Sequence, residues 1–390
     1  MRIGIFTEVY KPVINGVVNS IIGFKRGLEE QGNEVYVFCP TYNGYKDDPS
    51  DKNIVHMRSK PLPGASGYHF IFPADKRVLE IAKTMDVIHV HHPFVMGGIA
   101  ASIAKKLNKP LVFTNHTQYE QYAHYVPAPG GIVKYSIKRR IKNFMKNVDL
   151  VIAPAKGIIP VLREYGVEGK INIVPNGIDI DRFKKEVPIS ELEKLMGKYK
   201  LNHKDKILIY TGRIAEEKNL TFLLKAFAKL ATKNANVHLI MVGGGPQMKE
   251  FVGLIDKMHL TERVTITDYV PYEEMQNHLA LASLYVTASK SEVHPLTIIE
   301  GMAAGLPMVI IKAPGTGDVV TDNVDSLVAR DDLDDFVAKI ERVLSDSALH
   351  ERLARQAVIS AEKYSFRETS KEMLKAYEEA ITLHSKRHLK

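Results

Sequence analysis

The sequence predicts an α/β protein built from two doubly wound, Rossmann-like domains that face each other across a cleft. Three observations lead there. The chain has 390 residues, more than one ordinary core accommodates. Short apolar runs alternate with helical patterns from the first residue. Near Lys206 that alternation starts again, a repeat of architecture without a repeat of residues. The expected organisation is an N-terminal domain over 1–175, a C-terminal domain over 176–365, and a final helix within 366–390 crossing back onto the first domain.

The opening residues read as a strand from Arg2 to Thr7, a helix from Gly16 to Gln31 and a strand from Glu34 to Phe38. Further strands follow at DVIHVHH, PLVFTNH, DLVIAP and INIVPNG. PNGIDIDRF, from Pro175 to Phe183, reads as the interdomain crossing, and the polar stretch to Asp205 as the approach to the second domain. There KILIYTGR is a strand and turn, Asn219 to Ala231 a helix, and VHLIMVGGGP, RVTITDYV, SLYVTAS and MVIIKAP supply the remaining strands. The last helix is expected from about Phe366 to Leu383.

A formal charge of +8 favours anionic partners such as phosphorylated small molecules, a membrane surface or nucleic acid. One cysteine, Cys39, excludes an intramolecular disulfide framework and fits a reducing compartment. MRIGIFTEVY lacks the apolar core of a signal peptide, and no run of about 18 apolar residues exists. The expected location is cytoplasmic.

Doubly wound sheets bind ligands at the carboxyl ends of their strands, so those ends hold the candidate residues. SEVHPLTIIEGMAAGLP, Ser291 to Pro307, sets two carboxylates eight positions apart around a proline. Proline belongs in a first helical turn, so a helix begins near Pro295, with Glu292 in the loop before it and Glu300 inside it. Between them lie unpaired amides at the positive end of a helix, a ready anion site formed by His294, Pro295, Leu296 and Thr297. In TGRIAEEKN, Arg213 and Lys218 flank another strand end. An arginine fork grips phosphate oxygens in pairs while lysine adds a point charge. Beside the Glu292 loop they read as a diphosphate clamp. Gly243 in VGGGP can pass close to a ligand or form a tight turn.

In the first half, Asn15 and Gly16 of YKPVINGV precede a helix and allow close backbone approach to a phosphate or sugar. The stretch is not the GxGxxG of dinucleotide binding. His116 stands just past a strand and is expected in the cleft. His89, His91 and His92 read as cleft polar groups or satisfied strand histidines, since no carboxylate or cysteine at ligand spacing completes a metal site. The segment HTQYEQYAHYVPAPGG, with Tyr119 and Tyr122, is expected at an acceptor entrance. GIVKYSIKRRIKNFMKNV carries an apolar stripe at helical spacing with Lys138, Arg139, Lys142 and Lys146 opposite. That pattern fits an outer helix docked on the sheet whose basic side can meet anionic lipid. It lacks interleaved stacking aromatics, which argues against nucleic acid.

Taken together, the E-x7-E of Glu292 and Glu300, GRxxxxK at Arg213 to Lys218, VPNGID and NGV resemble the retaining glycosyltransferases of family 4, over essentially the whole chain. The resemblance implies the GT-B fold. FTEVYKPVINGV, DVIHVHHP and HTQYEQYAHYVPAPG are similar to the branch that glycosylates membrane lipids, including diacylglycerol glucosyltransferases and, more distantly, phosphatidylinositol mannosyltransferases. It implies transfer of a hexose, glucose from a UDP-sugar, to a lipid at the inner face of the cell membrane. Glu292 would contact the donor sugar and Glu300 the ribose. Arg213, Lys218 and Gly16 would meet the diphosphate, and His116 the transferred sugar. No metal or other cofactor is implied, and the DxD of Asp179 and Asp181 reads as structural. A soluble or polysaccharide acceptor, or a nucleotide-sugar epimerase on the same fold, is the alternative.

Overall fold

The computed structural model describes residues 1–62, 67–120, 130–313 and 315–388. The chain forms two compact units, Met1–Ile178 with Tyr364–Lys390, and Asp179–Lys363.

The first unit contains strands β1 (Arg2–Phe6), β2 (Glu34–Pro40), β3 (Ile54–Met57), β4 (Ser59–Pro61), β5 (His69–Ile71), β6 (Val87–Val90), β7 (Leu111–Thr114), β8 (Leu150–Ala153) and β9 (Ile171–Ile173). Seven of them make a parallel sheet in the order β3-β2-β1-β6-β7-β8-β9, while β4 and β5 pair separately as an antiparallel hairpin. Strand order reverses between β1 and β6, which pair in register from Ile3 with Val87 to Phe6 with Val90. Near-continuous apolar runs such as VIHV and LVFT are wholly buried, as a sheet covered on both faces requires.

The final helix, Phe366–His388, belongs to this unit. Met373, Ala376, Tyr377 and Ala380 recur at helical spacing and are all buried in the same core as Ile5, Phe24 and Val37. The helix packs against Gly16–Glu30, and a Cβ on Gly27 would lie 2.6 Å from the Phe366 carbonyl oxygen. The PNG turn has a related purpose. A Cβ on Gly177 would lie 2.6 Å from Phe366 Cα, so only glycine lets the outgoing chain run beside the returning one. Ile178 N–H donates to the Tyr364 carbonyl and Phe366 N–H to that of Ile178, both at 2.9 Å.

The second unit holds β10 (Lys206–Thr211), β11 (Val237–Val242), β12 (Val264–Ile266), β13 (Leu284–Thr287), β14 (Met308–Ile311) and β15 (Leu327–Ala329) in one parallel sheet, ordered β12-β11-β10-β13-β14-β15. Its reversal lies between β10 and β13. Helix Leu220–Lys233 buries Leu223, Leu224, Phe227 and Leu230 against this sheet.

Strand and helix ends differ from the expected ones by one to a few residues, β2 for instance running to Pro40 and the last helix to His388. The β4–β5 hairpin was not expected, because three-residue strands, one ending in proline, leave too little alternation to read.

Candidate active site

In the second unit the crevice at the β10–β13 reversal is stitched together by loop side chains. β10 ends at Thr211 and leads through Gly212 to Arg213; β13 leads through Ser289 to Glu292. Lys218 Nζ donates to Glu292 Oε1 at 2.6 Å, and Ser289 Oγ donates to the same oxygen at 2.7 Å. Asn219, held at a positive φ of 54°, donates from Nδ2 to the Ala288 carbonyl at 3.3 Å. Ser291 Oγ donates to the Glu217 carbonyl at 3.0 Å. The helix that follows spans Leu296–Ala303 with Pro295 as its extended N-cap and no side-chain cap, so its first amides are not closed off by a capping hydroxyl or carboxylate. Gly305, at φ 75°, ends the turn after it.

Arg213 is ion-paired with Glu217 one helical turn on. Burial would raise the Glu217 carboxyl, but hydrogen bonds from Arg213 and from its own backbone amide, with the charges of Arg213 and Lys218, hold it below the ordinary carboxylate range. Gly243 proves to be a packing glycine. Its φ is 135°, and a Cβ there would lie 2.2 Å from the Gly212 carbonyl oxygen. The GGG turn is instead pressed onto the loop that carries Arg213, with Ile214 N–H donating to the Gly244 carbonyl at 2.9 Å.

Glu300 is buried, and Tyr272 Oη donates to its Oε1 at 3.0 Å. Burial pushes this carboxyl up to about 7, against the opposing pull of the Tyr272 bond and the Arg182 charge. Arg182 lies 4.9 Å from the centre of the Tyr272 ring. His294 is buried and pulled down to about 3, by desolvation first and by Lys363 second, so it is neutral at physiological pH. Pro295 is also buried. The side chain of Leu296 is 6% exposed and belongs to the core, leaving only its backbone for a ligand. Thr297 hydrogen-bonds Tyr285.

Ser289, Glu217, Tyr272, Arg182 and Gly315 escaped the sequence reading. Glu217 was findable as the i+4 partner of Arg213, and Gly315 had a signal in APGTG. A Cβ on Gly315, at φ 54°, would lie 2.4 Å from the Glu292 carbonyl oxygen, so this glycine lets a neighbouring loop cross the Glu292 backbone. Tyr272 and Arg182 are brought to Glu300 by tertiary folding alone.

In the first unit Asn15 caps helix Gly16–Glu30, its side chain accepting from Val18 N–H at 2.9 Å. A Cβ on Gly16 would meet no atom within 4 Å. His116 Nε2 and His91 Nδ1 are 2.7 Å apart, with the two rings stacked at 4.9 Å. The other histidines are engaged inside the protein. His89 Nδ1 bonds Tyr377 Oη and Nε2 bonds Thr114 Oγ1, each at 2.7 Å, tying the last helix to the sheet. Burial lowers His89 to about 3 and His92 to about 4. His92 Nδ1 accepts from Glu8 N–H at 3.3 Å, and Glu8 accepts from Met96 N–H at 3.1 Å, so a carboxylate already occupies the start of helix Val95–Leu107. Among the described residues no group of three His, Cys, Asp or Glu could hold a metal ion.

Tyr119, expected at an acceptor entrance, is 7% exposed and edge-on to Phe94 at 5.0 Å, its ring packed inside the unit rather than presented to solvent. Tyr122 lies outside the described residues. The basic helix spans Gly130–Met145 and buries Val133, Ile141, Phe144 and Met145. Arg139, Lys142 and Lys146 are exposed, as expected, but Lys138 is not part of a free basic face. It is paired with Glu120 at 3.3 Å and Glu164 at 3.0 Å.

Two family models cover most of the chain, Glycosyltransferase Family 4 over residues 14–182 and Glycosyl transferases group 1 over 192–358. The alpha-monoglucosyldiacylglycerol synthase of Acholeplasma laidlawii is 30% identical over 378 residues, covering 94% of both chains. The chain belongs to glycosyltransferase family 4. The Streptococcus pneumoniae protein of the same name is also 30% identical, over 94% of this glycosyltransferase and 84% of that one. Among solved structures, Anabaena HepE in complex with UDP superposes with a TM-score of 0.77 at 18% identity, covering 97% of this enzyme and 100% of that chain. Sucrose-phosphate synthase from Thermosynechococcus elongatus gives 0.76 at 17%, covering 98% and 99%. The fold of the glycosyltransferase is therefore GT-B.

Proposed function

We propose that this glycosyltransferase moves a hexose, glucose first, from a UDP-sugar to a membrane lipid of the diacylglycerol class with retention of anomeric configuration. The observation that carries the reading is the full-length similarity to two proteins named as alpha-monoglucosyldiacylglycerol synthases. The site fits a sugar nucleotide. Two acids, Glu292 and Glu300, stand at either side of a helix start, as a donor with a diol at each end of a diphosphate needs. In this reading Glu292 takes the hexose hydroxyls, Glu300 the ribose diol, and Arg213 and Lys218 the diphosphate. Gly16, behind the Asn15 cap, serves the diphosphate, and His116 the transferred sugar.

Breaking the bond from sugar to diphosphate leaves negative charge on the leaving oxygens. Pre-placed cations and helix amides lower that barrier, and removing one such donor costs on the order of a hundredfold to a thousandfold in rate. No metal is required by this scheme. Among the described residues no helix is long and apolar enough to cross a membrane. The enzyme in this reading sits peripherally on the inner leaflet through the basic helix, where Arg139, Lys142 and Lys146 accompany exposed Ile132 and Tyr135.

The test is calorimetric titration with a panel of nucleoside diphosphates, with and without EDTA, followed by product analysis with diacylglycerol in mixed micelles. Tight binding of UDP in EDTA and a glucosylated lipid are expected. Conversion of the donor with no acceptor present would establish an epimerase instead.

A further inference from the structure

The β4–β5 hairpin has two dissimilar faces. Its register pairs Ser59 with Ile71, Lys60 with Phe70 and Pro61 with His69, and the pairing extends through Phe72 N–H to the Arg58 carbonyl and Leu62 N–H to the Tyr68 carbonyl. Side chains alternate along a strand, so Ser59, Pro61, His69 and Ile71 share one face. That face docks on the unit: Ser59 Oγ donates to the Thr41 carbonyl at 3.0 Å, His69 meets Tyr42 edge-on at 4.7 Å, and Ile71 is 2% exposed. The opposite face carries three cross-strand pairs, Arg58 with Phe72, Lys60 with Phe70, and Leu62 with Tyr68.

Much of that outer face is exposed. Phe70 is 52% exposed, Leu62 45% and Tyr68 41%, Lys60 and Arg58 are exposed as well, and Phe72 is half-buried. Each pair thus joins an aromatic ring to a cation or an aliphatic chain, with the Arg58 guanidinium 5.7 Å from the centre of the Phe72 ring. Rings that are apolar in body and cations that can reach past them match a surface whose interior is hydrocarbon and whose boundary is phosphate. The hairpin contributes no strand to the main sheet, and a contiguous exposed strip of this kind marks an interaction surface. Helix Val95–Leu107 touches both β5 and the basic helix, so the strip and that helix flank one element.

We infer that this hairpin face is a second membrane-contact element, which lays Phe70, Tyr68 and Leu62 into the headgroup boundary of an anionic bilayer while Lys60 and Arg58 hold lipid phosphates. The inference rests on the proposed lipid acceptor, and it adds an inserting element to the electrostatic one. Apolar insertion resists salt, whereas attraction through Arg139, Lys142 and Lys146 does not.

The chain has no tryptophan, so Phe70→Trp places a single reporter on the strip and Val252→Trp, at a 49% exposed position of the second unit, is its control. The probe is full-length protein with vesicles of phosphatidylcholine containing a third phosphatidylglycerol, some with brominated acyl chains. A blue shift and bromine quenching at position 70, with neither at 252, are expected. Replacing both Phe70 and Leu62 by serine should lower partition on the order of tenfold, and Arg58→Gln with Lys60→Gln roughly fivefold per charge at low salt. Co-sedimentation with no change in emission at position 70 would overturn the inference, as would a Phe70/Leu62 variant that partitions like wild type. Lipid glucosylation in detergent micelles is measured on the same variants. Retained transfer to lipid there separates failure of the hairpin from failure of the lipid-acceptor reading.

Discussion

Glu300→Gln should make the enzyme more stable and less able to hold its donor. The carboxyl is buried, and burial raises it from 4.5 to about 7. Between those two values the folded protein binds more protons than the unfolded chain, so stability falls as pH rises through the window. Below about pH 4.5 the penalty is absent; above 7 it is complete, and amounts to roughly 3 kcal/mol. Glutamine keeps an acceptor for the Tyr272 hydroxyl and has no charge to desolvate. At pH 8 the variant should therefore melt roughly 6 to 12 °C above wild type, for a domain of this size, with the gap closing towards pH 5. Differential scanning calorimetry at both pH values measures this. The same substitution removes the charged acceptor assigned to the ribose diol, so UDP affinity should fall about tenfold. A melting difference that is equal at pH 5 and pH 8, or a less stable variant at pH 8, would refute the desolvation argument. Unchanged UDP affinity would refute the ribose assignment alone.

Gly16→Ala should leave the melting temperature unchanged, because its Cβ enters open space, while turnover falls on the order of a hundredfold if the diphosphate approaches there; full turnover would withdraw Gly16 from the site. Lys218→Ala should lower donor turnover on the order of a hundredfold to a thousandfold, and a cycle with Glu292→Ala should be clearly non-additive, since the two side chains bond at 2.6 Å. Reversing Arg139, Lys142 and Lys146 to glutamate should reduce binding to anionic vesicles by roughly a hundredfold or more at low salt. Lys138 is left out of that set because its reversal would face Glu120 and Glu164 and disturb folding locally.

What could be read from sequence was whatever local chemistry determines. Pro295 announced the helix start between the two acids, and apolar runs bounded by turns revealed both sheets. Asn15 was legible as a helix entrance for the same reason. What escaped depends on which residues meet across long separations. No periodicity brings Tyr272 to Glu300, and none shows that Glu120 and Glu164 neutralise Lys138. Tyr119 illustrates an ambiguity of composition: a ring suited to greeting a ligand is equally suited to covering Phe94, and only packing decides. The glycines of VGGGP could be read as close approach, but the surface they approach is the Arg213 loop.

The electrostatics of the junction also differ from a simple cationic clamp. Arg213 is paired with Glu217 and Lys218 with Glu292, so these four side chains sum to zero formal charge. In the proposed reading a diphosphate is then drawn by directed donors, the Arg213 guanidinium and the amides of Leu296 and Thr297, rather than by a surplus of positive charge. Glu217 is where that arrangement can be tested, for its side chain is only 5% accessible and its charge lies against the arginine. Glu217→Gln keeps a hydrogen-bond acceptor for Arg213 while unmasking one positive charge. UDP affinity should rise roughly tenfold at low ionic strength and return towards wild type as salt shortens the screening length. Titration across a salt series decides it. Affinity that drops by the same factor at every salt concentration would mean that Glu217 serves to aim the guanidinium, and that the balance of charge at the junction has no part in holding the donor.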